Sequence, residues 1–126
     1  MQIKHSFTTM SILISILILF LISGCSKTEL YGESLTGKTP VTTVKQILDN
    51  PENYENKTIT INGEIKEVCP SGCWFFINDD SGELYVNIGP SGFAIPQKVG
   101  AKASVEGELI THNGSLMLMG KGVEIK

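Results

Sequence analysis

Two thiols with three residues between them stand in the stretch Cys69-Pro70-Ser71-Gly72-Cys73-Trp74, between two apolar, strand-like runs. In a three-residue hairpin loop, a type I turn is followed by a glycine in the left-handed region, and Pro70, Ser71 and Gly72 fit those positions in order. Cys69 and Cys73 then flank the turn from opposite strands, with Cα atoms roughly 5 Å apart. That separation suits a disulfide. It equally suits two thiolates on one metal ion, because structural zinc sites use C-x₂₋₄-C spacings. A redox pair or two free thiols is the third reading. A ring this short removes little entropy from the unfolded chain, so stability alone is a weak reason for a bridge here.

The elements that carry this loop begin after an export signal. Lys4 and His5 give a positive start, Met10 to Ile22 is an apolar run of thirteen residues, and Ser23-Gly24 puts small residues before Cys25. That is a secretory layout. Thirteen helical residues cover roughly 20 Å, short of the ~30 Å hydrocarbon core of a bilayer. The residues Leu21-Ile22-Ser23-Gly24-Cys25 resemble the lipobox of bacterial lipoproteins. The resemblance implies cleavage before Cys25, lipidation of its thiol and new amino terminus, and anchorage to an envelope membrane, the outer membrane or the cell surface. An exported address favours disulfides over free thiols. Residues 1–24 are therefore expected as signal peptide, 25–40 as a flexible tether and 41–126 as one domain. The mature chain keeps nine lysines against 13 acidic residues, a formal charge of −4, and contains no arginine. Phosphate recognition relies on cationic surface and favours arginine, so this balance argues against nucleic acid and leaves single-stranded nucleic-acid binding as the weakest of the expected functions.

Val41, Val44, Ile47 and Leu48 mark one face of a short helix over 42–50, with Thr43 and Gln46 spaced as a capping box and Asn50-Pro51 as its stop. Tyr54 is expected as a core plug. From Thr58 the period becomes two: Ile59, Ile61 and Ile65 alternate with polar residues, Gly63 marks a bend, and Val68 breaks the alternation as a bulge would. Further strands follow at 73–78 and 83–88, separated by the Asp79-Asp80-Ser81-Gly82 turn, and at 103–109 and 116–125, separated by a turn at Asn113-Gly114. Gly89 to Gly100 reads as a loop with at most one helical turn. A short N-terminal helix and five strands with glycine bends fit an all-β, five-stranded OB-type Greek-key barrel. The runs "TVKQILDNPENYENKTITINGEI" and "FINDDSGELYVNI" resemble the anticodon-binding-like OB families, and "VCPSGCWFFINDDSG" is similar to a group of exported OB-fold proteins with a Gly-Cys-Trp signature. The resemblance implies the fold and is nearly silent on activity.

In such a barrel the loop after the first strand and the loop before the last usually frame the ligand. Those loops carry Cys69/Cys73 and His112, and Cys-Cys-His is a soft ligand set for zinc or copper. Met117 and Met119 share a face of the last strand, either packing the barrel or offering thioethers to copper. Counting back from Asp79 puts Phe75 and Ile77 inside and Trp74, Phe76 and Tyr85 outside. The outward three form an aromatic platform for a glycan, peptide or protein partner unless the helix covers them. No nucleophile, base and orienter come together, and Asp79/Asp80 sit in a turn where such residues bond locally. The expectation is a non-catalytic, membrane-anchored binding module, holding a soft metal at Cys69, Cys73 and His112 or using a structural disulfide to shape an interaction face.

Overall fold

The computed structural model describes residues 2–20 and 27–126. Cys25, the expected lipidation site, lies outside them. Helix α1 (Gln2–Phe20) contains much of the expected signal run, and its Phe7, Leu13 and Leu17 are exposed. Among the described residues no helix is long and apolar enough to cross a membrane.

The strands that follow are β1 (Glu29–Gly32), β2 (Thr58–Val68), β3 (Trp74–Asn78), β4 (Glu83–Asn87), β5 (Lys102–His112) and β6 (Ser115–Ile125), with helix α2 (Val44–Asp49) between β1 and β2. They form one sheet in the order β1-β6-β4-β3-β2-β5, and pairing of β5 with β6 closes it into a barrel. Every pairing is antiparallel except β4 with β6, where Val86 faces Leu118 and Asn87 faces Met119. The five expected strands and the short helix are present, and the architecture is the expected OB-type barrel with one strand added. Alternation puts Ile61, Ile65, Phe75, Ile77, Val86, Leu109 and Leu118 inside, each with no exposed surface. At about 1.5–3 kcal/mol per buried side chain, this interior outweighs any single cap or ion pair. The bulge falls between Ile65 and Glu67, slightly earlier than Val68 suggests.

Residues 29–40, most of the 25–40 stretch expected to be a flexible tether, make contacts with the barrel. The second half of β6 has β5 on one side and an edge that β4 does not reach on the other; β1 fills that edge, with Glu29 opposite Ile125 and Gly32 opposite Gly122. An unpaired edge leaves backbone donors and acceptors unsatisfied, which is the physical reason a nondescript Glu-Leu-Tyr-Gly becomes a strand. Farther on, Thr42 N–H donates to Thr60 C=O and Thr60 N–H to Pro40 C=O, covering part of the β2 edge. Between these contacts, Glu106 Oε2 accepts from the Thr36 backbone N–H and the Thr36 and Thr39 hydroxyls. Tyr31 packs against the core, as Tyr54 does.

Candidate functional site

The Cys69–Cys73 turn is one residue longer than its spacing suggests: Val68 faces Phe75 and β3 begins at Trp74, so Cys73 belongs to the loop and does not face Cys69 from the opposite strand. Gly72 N–H donates to Cys69 C=O at 2.7 Å, Cys69 N–H donates to Trp74 C=O at 2.9 Å, and Gly72 has φ +75°. What the spacing does not reveal is how firmly the rest of the chain holds this turn. Ile95 N–H donates to Gly72 C=O at 3.0 Å, the Gln97 side-chain amide to Cys69 C=O at 2.7 Å, and the Ile88 and Gly89 N–H groups to Cys73 C=O at 3.0 Å each. The segment 88–97, expected only as a loop, is thus a strap across the hairpin, pinned by the buried Ile95.

On this base the two sulfurs lie 3.4 Å apart and unbridged. Both cysteines are half-buried. The Ser71 hydroxyl sits between them, 3.1 Å from Cys69 Sγ and 3.2 Å from Cys73 Sγ. Hydrogen bonding from Ser71, side chain first and then backbone, lowers the pKa of the Cys69 thiol from 9.0 to about 7 against the opposing effect of burial, with Cys73 adding a lesser share. Tyr85 is near enough to feel the pair: burial, and then the negative charges of Cys73 and Cys69, raise its phenol above the ordinary value. Ser71 was legible as a turn residue; its position between the sulfurs follows from being the middle of a five-residue turn.

Trp74, Phe76 and Tyr85 stand on the outer face, as counting from Asp79 implies. Their ring centroids are 5.9 Å (Trp74–Phe76), 5.7 Å (Trp74–Tyr85) and 5.5 Å (Phe76–Tyr85) apart, edge-on or tilted, and all three are half-buried. Helix α2 docks at the Asp79–Gly82 turn. Val44 N–H donates to Asp79 Oδ2 at 2.8 Å and Lys45 N–H to Ser81 Oγ at 3.0 Å, so Asp79 and Ser81 satisfy donors that the first turn of a helix leaves open. Burial works against the Asp79 carboxylate, yet hydrogen bonds from Ser81, Val44 and Gly82 hold its pKa below the ordinary value. Leu118 points into the core, so Met117 and Met119 are on the outer face of β6, and Asn87 separates Met119 from Trp74 across the sheet.

His112 does not join the thiols. Among the described residues no group of three His, Cys, Asp or Glu side chains could hold a metal ion. The reason lies in the one parallel pairing. Trp74, Asn87 and Met119 form one cross-sheet row beside the cysteines, and β6 runs parallel to β4, so Ser115 and its partner His112 lie four residues back toward the Asp79 turn. Four strand residues span roughly 13 Å, and two strand spacings add about 10 Å sideways. The two loops therefore bracket the outer face from opposite ends. A cavity of about 360 Å³ opens at Asn62, Asn78, Asp80, Lys102 and Lys126. It touches neither the thiols nor the aromatic face, and its open, mixed-charge lining makes it a surface dip rather than a chemical site.

No family model matches the chain, and no curated protein matches it. Among solved structures, the chain is similar to the hypothetical protein ygiW from E. coli, with a TM-score of 0.49 and 20% identity over 73% of this chain and 100% of that one. The barrel assignment itself rests on the strand order and register described above.

Proposed function

We propose that this chain is an exported, lipid-anchored, non-catalytic OB-fold binding module that holds one copper(I) ion between Cys69 and Cys73. The observation that carries the reading is the 3.4 Å pair of unbridged sulfurs on a strapped hairpin. Thiolates select soft ions, copper(I) and zinc foremost. Zinc in a structural site wants four ligands at tetrahedral angles. With His112 at the far end of the face, two sulfurs fall short of zinc's demand, whereas copper(I) is content with two thiolates in line. The sulfurs would part by about 1 Å to take an ion, a side-chain rotation that leaves the hydrogen-bonded backbone in place.

The anchor reading rests on the signal and the Cys25 box. With β1 starting at Glu29, only three residues, Ser26 to Thr28, separate Cys25 from the barrel, a span of four residue steps. At 3.3–3.6 Å per residue they reach about 14 Å, so the module would ride close to its membrane.

The test uses the full chain carrying Cys25→Ser, reduced and metal-free, titrated without oxygen against a colorimetric copper(I) chelator and, separately, a zinc chelator. One equivalent of copper(I) is expected, with zinc held far more weakly. Copper uptake no stronger than that of the Cys69→Ser/Cys73→Ser variant overturns the proposal.

A second reading is supported by the half-exposed Trp74, Phe76 and Tyr85 cluster, a surface suited to stacking on a glycan ring or gripping a peptide. Quenching of the single tryptophan by such a ligand, lost in Tyr85→Ala, is its expected sign. The absence of arginine argues against nucleic acid in the same place.

A further inference from the structure

The same two sulfurs have a chemistry that needs no ion. A disulfide has its sulfurs 2.03–2.05 Å apart, so the 3.4 Å pair is about 1.4 Å from bonding. The backbone cannot supply much of that movement: the Cys69, Gly72 and Cys73 carbonyls each accept at least one hydrogen bond from the strap. Rotation of the two side chains can. Access is open, since Pro70 and Ser71 are exposed and neither cysteine is buried. Exchange requires a thiolate to approach a disulfide sulfur, and a pair at the rim of the barrel meets that condition where a core bridge does not. The five-residue ring also contributes less to stability than a longer loop would, so the fold does not strongly commit the pair to the bridged state.

We infer that Cys69 and Cys73 form a thiol–disulfide exchange pair that reacts with low-molecular-weight disulfides. One sulfur, as thiolate, attacks a disulfide RS–SR; a bond forms to the near sulfur, the RS–SR bond breaks, and one RS⁻ leaves. The second cysteine, as thiolate, attacks the first; the Cys69–Cys73 bond forms, the mixed bond breaks, and the second RS⁻ leaves. Two electrons pass from the protein to the disulfide, and the two thiol protons end on the two RS groups. The Ser71 hydroxyl, within 3.2 Å of both sulfurs, can donate to whichever one carries the charge, so neither step leaves the hairpin sulfur without a partner. The inference shares its sulfurs with the copper reading but does not rest on it. The two states are mutually exclusive, because a bridged pair has no thiolate to give an ion.

The full Cys25→Ser chain, held in excess chelator, is equilibrated with a series of oxidised-to-reduced glutathione ratios, quenched with an alkylating agent and weighed. Wild-type hairpins are expected to move from two alkylated cysteines to none as the ratio rises, to return when reduced glutathione is added, and to show the mixed disulfide only as a minor species. Cys69→Ser and Cys73→Ser are each expected to stop at a stable glutathione adduct. Wild type accumulating as adduct to the same extent as the single variants overturns the inference. So does a hairpin that stays fully alkylated at every ratio, or a bridge that reduced glutathione never reopens. Circular dichroism of each variant checks that the barrel is intact, and the wild-type result stands whether or not a variant folds. Exchange with no copper uptake removes the metal reading alone; copper uptake with no exchange removes this inference alone.

Discussion

Two hairpins of this barrel look alike in sequence and differ in what holds them. The β5–β6 turn is specified by its own two residues: His112 opposes Ser115, and Asn113 and Gly114 take φ values of +51° and +79°, as a two-residue turn of this hand requires. Thr111 to Ser115 are all exposed. The β2–β3 turn also closes on a left-handed glycine, but Gly72 lies under the 88–97 strap, and a Cβ there would stand 2.2 Å from Ile95 C=O. One loop is local and free, the other tertiary and fixed. Reactive side chains are useful where the backbone beneath them cannot drift, and the thiols sit on the fixed loop.

The largest predicted effect tests that contrast directly. Gly114→Ala adds a Cβ with nothing within 4 Å, so only the left-handed backbone penalty applies, about 1 kcal/mol. Gly72→Ala carries the same penalty plus a collision with the Ile95 carbonyl that only a shift of the strap can relieve, for a total on the order of 3 kcal/mol or more. Urea unfolding of the two variants measures the difference. Equal losses would mean that the strap is not a structural tie and that the two hairpins are equivalent after all.

Much of the barrel could be read from the sequence because its signals are local. The alternation from Thr58, the Asp-Asp-Ser-Gly and Asn-Gly turns, and the Thr43/Gln46 capping box all act within a few residues. The box forms as spelled, with Thr43 N–H donating to Gln46 Oε1 at 2.9 Å and Gln46 N–H to Thr43 Oγ1 at 3.2 Å. Strand β1 is different: four residues carry no usable period, and they become a strand because β6 leaves half an edge open. Glu106 is a second case. Its charge argues for solvent, yet it is 7% exposed, because the segment that brings Thr36 and Thr39 to it folds back from seventy residues away. The aromatic face was legible from strand parity, which survives any topology. The place of His112 was not, since it turns on the direction in which β4 and β6 run relative to each other.

A smaller effect sharpens the chemistry of the fixed loop. Ser71→Ala removes the hydroxyl between the sulfurs, the largest cause of the lowered Cys69 pKa. In the metal-free wild type, alkylation of Cys69 is expected to reach half its plateau rate near pH 7; in Ser71→Ala the midpoint moves up toward the ordinary value of 9.0. The sign of the linked stability follows. Because the folded thiol loses its proton first, the unfolded state binds more protons between pH 7 and 9, and stability rises with pH through that window. The contribution is fully present above the unfolded value and is lost as pH falls through about 7. A midpoint that does not move in the variant would assign the shift to Cys73 or the backbone instead.

The smallest effect is the most discriminating, because it is expected to be nil. His112 stands on an exposed turn at the opposite end of the outer face from the thiols, and it forms no metal-capable group with other His, Cys, Asp or Glu side chains among the described residues. Replacing an exposed side chain away from caps and core changes stability within about 0.5 kcal/mol. His112→Ala should therefore leave copper(I) uptake, the Cys69 alkylation profile and the unfolding midpoint as they are. If copper affinity instead fell tenfold or more, the free hairpin would have to fold over the aromatic face to reach the thiols. The division between a fixed and a free loop would then describe only the empty protein, with the free loop moving in as the third ligand.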